Sequence, residues 1–276
     1  MSRLSSILMR AAAIVAVLLS PAAQAQVLPQ QLMSQERPLQ GDTIRACVDD
    51  SSAGGKLDRA IAQAISDALF LKVEFVEGIR GFPLDGDGYL AELQIQLNND
   101  CDIFLGVSVQ PNMPFPDWAV VTRPYARVPF VLVTDKDYAS LADIPHDGII
   151  GTALASIGER VFATSVAQRP ADQRWTRLPY ADFNLMTTRL RDGTLAAMLL
   201  WQPSLLKLAE TDPTVASLKI IPLAPVPESY VDVGALVATR NTFLRTQIDQ
   251  AIGELSADGT IDRIMSDLGI LGSSPP

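Results

Sequence analysis

Residues 44–52 read Ile-Arg-Ala-Cys-Val-Asp-Asp-Ser-Ser, an apolar strand that runs straight into a polar loop. Gly54-Gly55 then opens a predicted helix with Leu57, Ile61, Ile65, Ala68 and Leu69 along one face. Working outward, Lys72 to Val76 reads as a second strand. Leu90, Leu93 and Leu97 mark another helix, halted by Asn98-Asn99, and Ile103 to Val107 is a third strand. Strand, helix, strand, helix, strand is the pattern of a parallel sheet with right-handed crossovers. In such sheets ligands sit beyond the carboxyl ends of the strands, which makes Asp49, Asp50, Ser51 and Ser108 candidate binding residues.

Residues 109–124 carry Pro111, Pro114, Pro116 and Pro124 and are expected to be largely irregular. Phe130 to Thr134 is a strand, and Leu141-Ala142-Asp143-Ile144-Pro145 resembles a turn into a new unit. A second αβ series follows. It has a strand at 149–152, helices near 157–166 and 185–191, a strand at 196–200, a helix after Pro203 and a strand at 218–221. Val231 to Ala238 is a further strand. Asn241 is expected to cap a helix carrying Leu244, Ile248, Ile252 and Leu255, and Thr260 to start a last one closed by Gly269.

The amino terminus has its own signature. Arg3 and Arg10 precede a nine-residue apolar run, Ala11 to Leu19, and Ala23-Gln24-Ala25 forms a small-x-small cleavage site. This is the anatomy of a secretory signal peptide over residues 1–25, with an apolar core too short to span a bilayer. Residues 26–40 read as a mobile leader. The mature chain is expected to be soluble and, in a Gram-negative host, periplasmic, with no membrane insertion after cleavage. Losing Arg3 and Arg10 leaves 20 basic against 31 acidic side chains, a net charge of −11. Such a surface repels nucleic acid and anionic lipid. In an oxidising compartment the only two cysteines, Cys47 and Cys101, suggest a disulfide. Their offset along a parallel strand pair argues the other way, so the bridge stays open at this point.

Catalytic patterns are scarce. The single histidine, His146, lies in the turn Pro145-His146-Asp147-Gly148, and there is no GxSxG, GxGxxG, Walker loop or HExxH. Asp85-Gly86-Asp87-Gly88 mimics a calcium loop, but Pro83 and Gln94 would fall at ligand positions, so a plain turn is expected. Adjacent carboxylates at Asp49-Asp50 point to opposite sides of an extended chain and make a poor acid/base pair. No metal site and no enzymatic activity are expected. The sequence favours binding.

The order and spacing of several short motifs resemble the periplasmic solute-binding proteins of family 3, the type that serves polar amino acids. They are Ile44 to Ser52, Cys101-Asp102-Ile103-Phe104-Leu105-Gly106, Thr122-Arg123-Pro124-Tyr125, Leu141 to Pro145, Gly151 with the helix opening after Ala155, and Leu255 to Gly269. The resemblance implies an α/β fold of two lobes with parallel-rich sheets, a hinge and a ligand cleft. Residues 41–134 plus 228–271 would form lobe 1 and 135–227 lobe 2. Two departures stand out. The family's carboxylate-clamping arginine is missing from Ser108-Val109-Gln110-Pro111-Asn112-Met113, and Trp201 stands where an ammonium-binding aspartate is usual. A cleft without either charge cannot desolvate a zwitterion cheaply.

Arg45-Ala46-Cys47, Cys101-Asp102 and Trp201-Gln202-Pro203 further resemble a subgroup associated with quinoprotein methanol dehydrogenases. That implies an accessory of alcohol oxidation, binding the dehydrogenase or a small ligand such as its cofactor pyrroloquinoline quinone. The competing expectation is the receptor of an ABC importer, delivering a small polar solute such as an amino acid to a permease. Under either, Asp49, Asp50, Ser108, Ser156, Trp201 and Tyr230 are the expected ligand-binding residues in the interlobe cleft. Trp201 would offer a flat apolar face and the helix start at Ser156 an anion site.

Overall fold

The computed structural model describes residues 41–77, 88–110 and 115–275. The expected signal peptide and leader, most of the Asp85-Gly86-Asp87-Gly88 turn and the end of the arginine-less stretch, residues 111–113, lie outside the described residues.

The opening series is the expected one: β1 (Thr43–Val48), α1 (Gly55–Ala68), β2 (Lys72–Glu77), α2 (Tyr89–Asn99) and β3 (Ile103–Val109). β1 pairs in parallel with both β2 and β3. α1 buries Leu57, Ile61 and Ile65, one residue per helical turn, and shares a core with Tyr125, Val233, Ile248 and Ile261. α2 closes a smaller cluster with Leu93, Leu97, Phe104 and Leu236. That cluster holds a disulfide between Cys47 and Cys101, with Cα atoms 5.7 Å apart. Cys47 registers opposite Phe104, three residues beyond Cys101, which is the offset that argues against a bridge. The chain before β3 folds back instead of continuing straight. Asp102 donates its N–H to the Arg45 carbonyl, and its carboxylate accepts the Arg45 N–H at 2.8 Å.

The remaining elements are β4 (Ala119–Val121), β5 (Ala126–Thr134), β6 (Ile149–Ala153), α3 (Ile157–Ala167), β7 (Thr176–Tyr180), α4 (Phe183–Arg191), β8 (Ala197–Trp201), α5 (Gln202–Thr211), β9 (Lys219–Ile221), β10 (Tyr230–Ala238), α6 (Thr242–Ala257) and α7 (Thr260–Asp267). The strand order is β2-β1-β3-β10-β5-β8-β6-β7, with β4 on β10 and β9 on β5. Pairing is parallel at both ends and antiparallel in the middle. β5 changes partners halfway. Ala126 to Pro129 pair with β10, and Phe130 to Val133 pair with β8. One strand thus belongs to two sheets, which divides the molecule into two α/β halves.

Several local readings need correction. β4 and β7 are strands that the pattern does not announce. β7 (Thr-Arg-Leu-Pro-Tyr) is an edge strand exposed along most of its length, so it needs no apolar alternation and tolerates Pro179. α5 begins at Gln202, one residue before Pro203, and Trp201 is the last residue of β8. Asn241 precedes α6 without capping it through its side chain. No helix among the described residues is long and apolar enough to cross a membrane.

Candidate ligand-binding site

The carboxyl ends of β1 and β3 from one half, and of β6 and β8 from the other, carry the candidate residues except Tyr230. At the end of β1, Asp49 turns its carboxylate back into its own loop. Its Oδ1 accepts the N–H of Ser51 at 2.8 Å and the Ser51 hydroxyl at 2.5 Å. Asp50 turns elsewhere. It is paired with Arg59, whose guanidinium lies 4.1 Å over the Phe75 ring on β2. Asp50 therefore serves α1 and β2, because a cation one helical turn into α1 captures it.

Ser108 lies on β3 opposite Val233, its hydroxyl buried with no hydrogen-bond partner. Trp201 lies at the end of β8 opposite Phe130, its indole N–H likewise buried and unpartnered. Its ring packs against the cores of both halves. A Cβ placed on Gly54 would stand only 3.2 Å from its Cη2. The contact thus depends on the bare glycine at the helix start. Polar atoms withdrawn from water without a partner are costly, and a ligand that pairs with them recovers that cost.

Ser156 is the N-cap of α3. Its hydroxyl accepts the Glu159 N–H at 3.0 Å. Glu159 is buried and supplies the negative charge at this helix start. Its carboxylate accepts the Ala155 N–H at 2.6 Å and the Thr152 hydroxyl at 3.2 Å, and it pairs with Arg177. Ala155 holds a left-handed φ of 59° to make that reach. The expected anion site at Ser156 is thus partly filled by the chain's own carboxylate. Tyr230 begins β10, is 39% exposed, and donates its hydroxyl to Glu228. Of the expected residues, Ser108 and Trp201 each hold a buried polar atom without a hydrogen-bond partner, and Asp49 holds its own loop.

One residue of this region escaped the sequence reading. Asp58 is 3% exposed, and its Oδ1 accepts the Tyr125 hydroxyl at 2.6 Å; the Tyr125 hydroxyl oxygen in turn accepts the Gly106 N–H at 3.0 Å. Burial, with Asp49 adding repulsion, pushes its carboxyl up to about 7 against the lowering effect of Tyr125. The signal was present: Asp58 falls on the same helical stripe as Ile61, Ala62 and Ile65, where a carboxylate is out of place. Gly106 holds φ 82°, and a Cβ there would lie 2.6 Å from Asp58 Oδ2. Gly106→Ala is expected to cost at least about 2 kcal/mol, from left-handed strain and overpacking, read as a lowered urea midpoint.

No family model matches the chain, and no curated protein matches it by sequence. Solved structures do. The second substrate-binding domain of Lactococcus lactis GlnP, in its open conformation, superposes with a TM-score of 0.63 at 15% identity, covering 85% of this chain and 98% of that one. It has the two-lobe α/β fold of solute-binding proteins. The L-cystine solute receptor of Neisseria gonorrhoeae gives a TM-score of 0.57 at 22% identity, covering 82% and 92%. An ancestral amino-acid-binding protein described as a precursor of cyclohexadienyl dehydratase gives 0.53 at 16%, covering 82% and 95%.

Proposed function

We propose that the protein is a non-catalytic, exported solute receptor of the family 3 type, working in the periplasm with an ABC importer. The carrying observation is that Trp201 reaches from β8 of one lobe onto Gly54 of the other, while its N–H is buried and unpartnered. A ligand taken up there touches both lobes at once, as a receptor that signals occupancy requires. The proposed lobes are residues 41–134 with 228–271, and 135–227, and the proposed ligand residues are Asp49, Ser108 and Trp201. The amino-acid-binding and receptor descriptions of the neighbouring structures support transport over the role beside a quinoprotein dehydrogenase. A non-catalytic role is supported by an exposed His146, set 4.9 Å from the Trp175 ring, and by two cysteines committed to each other.

A thermal-shift screen of the purified protein against amino acids, organic acids and pyrroloquinoline quinone tests the proposal. A true solute at a hundredfold excess over its Kd stabilises by about 2.7 kcal/mol, a rise of a few degrees. Trp201→Ala is expected to abolish most of that rise. A shift with the quinone alone would restore the dehydrogenase reading. No shift with any compound, or one that Trp201→Ala leaves intact, would overturn the proposed site.

A further inference from the structure

We propose that α5 is a clasp that holds the two lobes in one resting pose, and that Gln202 is its catch on the segment of lobe 1 that follows α7. The proposal rests on the proposed lobe boundaries and not on which solute is carried.

The receiving strip comes from the way α7 ends. Gly269 adopts a left-handed φ of 68° and donates its N–H to the Ser266 carbonyl, while Ile270 donates to the Met265 carbonyl. This pair of bonds satisfies the last carbonyls of the helix and stops it. Ile270 then buries its side chain in the lobe 1 core with Ile261 and Met265, which fixes the strip. Farther on, Ser273 and Arg127 of β5 exchange both backbone hydrogen bonds. The Gly269 carbonyl and the Leu271 N–H flank Ile270, and Gln202 of lobe 2 meets both. Its Nε2–H donates to the carbonyl at 3.0 Å, and its Oε1 accepts the N–H at 3.3 Å. A primary amide suits this pairing because it carries a donor and an acceptor side by side. Gln202 is 3% exposed, so its amide has exchanged water for these two partners.

The rest of α5 is built the same way, with two faces. Leu205 and Leu208 are buried in the core of lobe 2 with Met198 and Val215. Gln202, Leu206 and Glu210 recur every fourth residue and so form a second stripe. Each of the three meets lobe 1. Leu206 packs against the lobe 1 core, and Glu210 pairs with Lys56 of α1 at 2.7 Å. The ion pair is exposed and contributes little, so the amide and Leu206 carry the clasp. A helix rooted in one lobe and bonded to the other resists rotation between them. Moving lobe 2 takes the partner from both Gly269 and Leu271, whose backbone groups must then find water.

The test measures the interlobe distance by double electron–electron resonance. Spin labels are placed on cysteines introduced as Gln63→Cys in α1 and Thr188→Cys in α4, both exposed positions, with the Cys47–Cys101 bridge intact. No solute is added, so the outcome is independent of the thermal-shift screen. The parent is expected to give one narrow distance band. Gln202→Met keeps the volume, removes both bonds, and should broaden that band or add a second. Leu206→Ala should do the same. Leu205→Ala, on the face turned to lobe 2, should lower the unfolding midpoint and leave the band as it is. A band that Gln202→Met leaves unchanged overturns the clasp, as does equal broadening in Leu205→Ala. If Gln202→Met does not fold, an unchanged band in Leu206→Ala overturns it instead.

Discussion

Replacing Cys47 and Cys101 together by serine is expected to lower stability by about 4 kcal/mol, the chain-entropy value for a loop of 54 residues. The loop includes all of α1, β2 and α2, so in the unfolded chain the bridge confines much of one lobe. In the folded chain it ties β1 to the start of β3 inside the cluster of Leu93, Leu97 and Phe104. Loss of the bridge also leaves the α2 face of the sheet to hold by packing alone. Urea unfolding with and without reductant measures this, and a loss below about 1 kcal/mol would show that the unfolded state is already restrained by residual structure.

The second large effect concerns Asp58 and pH. Its carboxyl titrates at about 7 in the folded protein and near the ordinary 3.8 when unfolded. Between those values the folded state binds more protons than the unfolded state, so stability falls as pH rises and levels off above about 7. The span corresponds to a loss on the order of 4 kcal/mol from this one group. Asp58→Asn keeps an acceptor for Tyr125 and carries no charge to bury. The variant should match the parent near pH 4 and exceed it increasingly toward pH 8, read from unfolding midpoints across that range. Equal pH profiles would show that Asp58 is solvated or otherwise compensated in the fold.

The candidate site was only half legible. Asp49, Ser108 and Trp201 lie at strand ends, and strand ends can be read from alternation and from the turn residues that follow. Asp50 and Ser156 were read from the same logic and serve structure instead. Arg59 captures the first, and Glu159 supplies the negative charge at the helix start that the second caps. Both partners lie within nine residues in the chain, yet nothing in the local pattern says which way their side chains turn. Asp58 was passed over because a single acid on an apolar stripe looks like an error in periodicity until its partner, 67 residues away, is in view.

By itself the sequence determined the class of fold, the order of most helices and strands and the position of the loops at the strand ends, because periods of 2 and 3.6 residues are local and survive without tertiary context. Only the tertiary structure decided the rest. It made β7 a strand despite Pro179, by placing it at an edge where no second partner needs its N–H. It divided β5 between two sheets at Pro129 and Phe130. It folded the chain before β3 back so that Cys101 meets Cys47. It also set Trp201 on Gly54. Each of these depends on groups distant in the chain sharing one small volume, where burial and charge act together; no window of sequence contains that information.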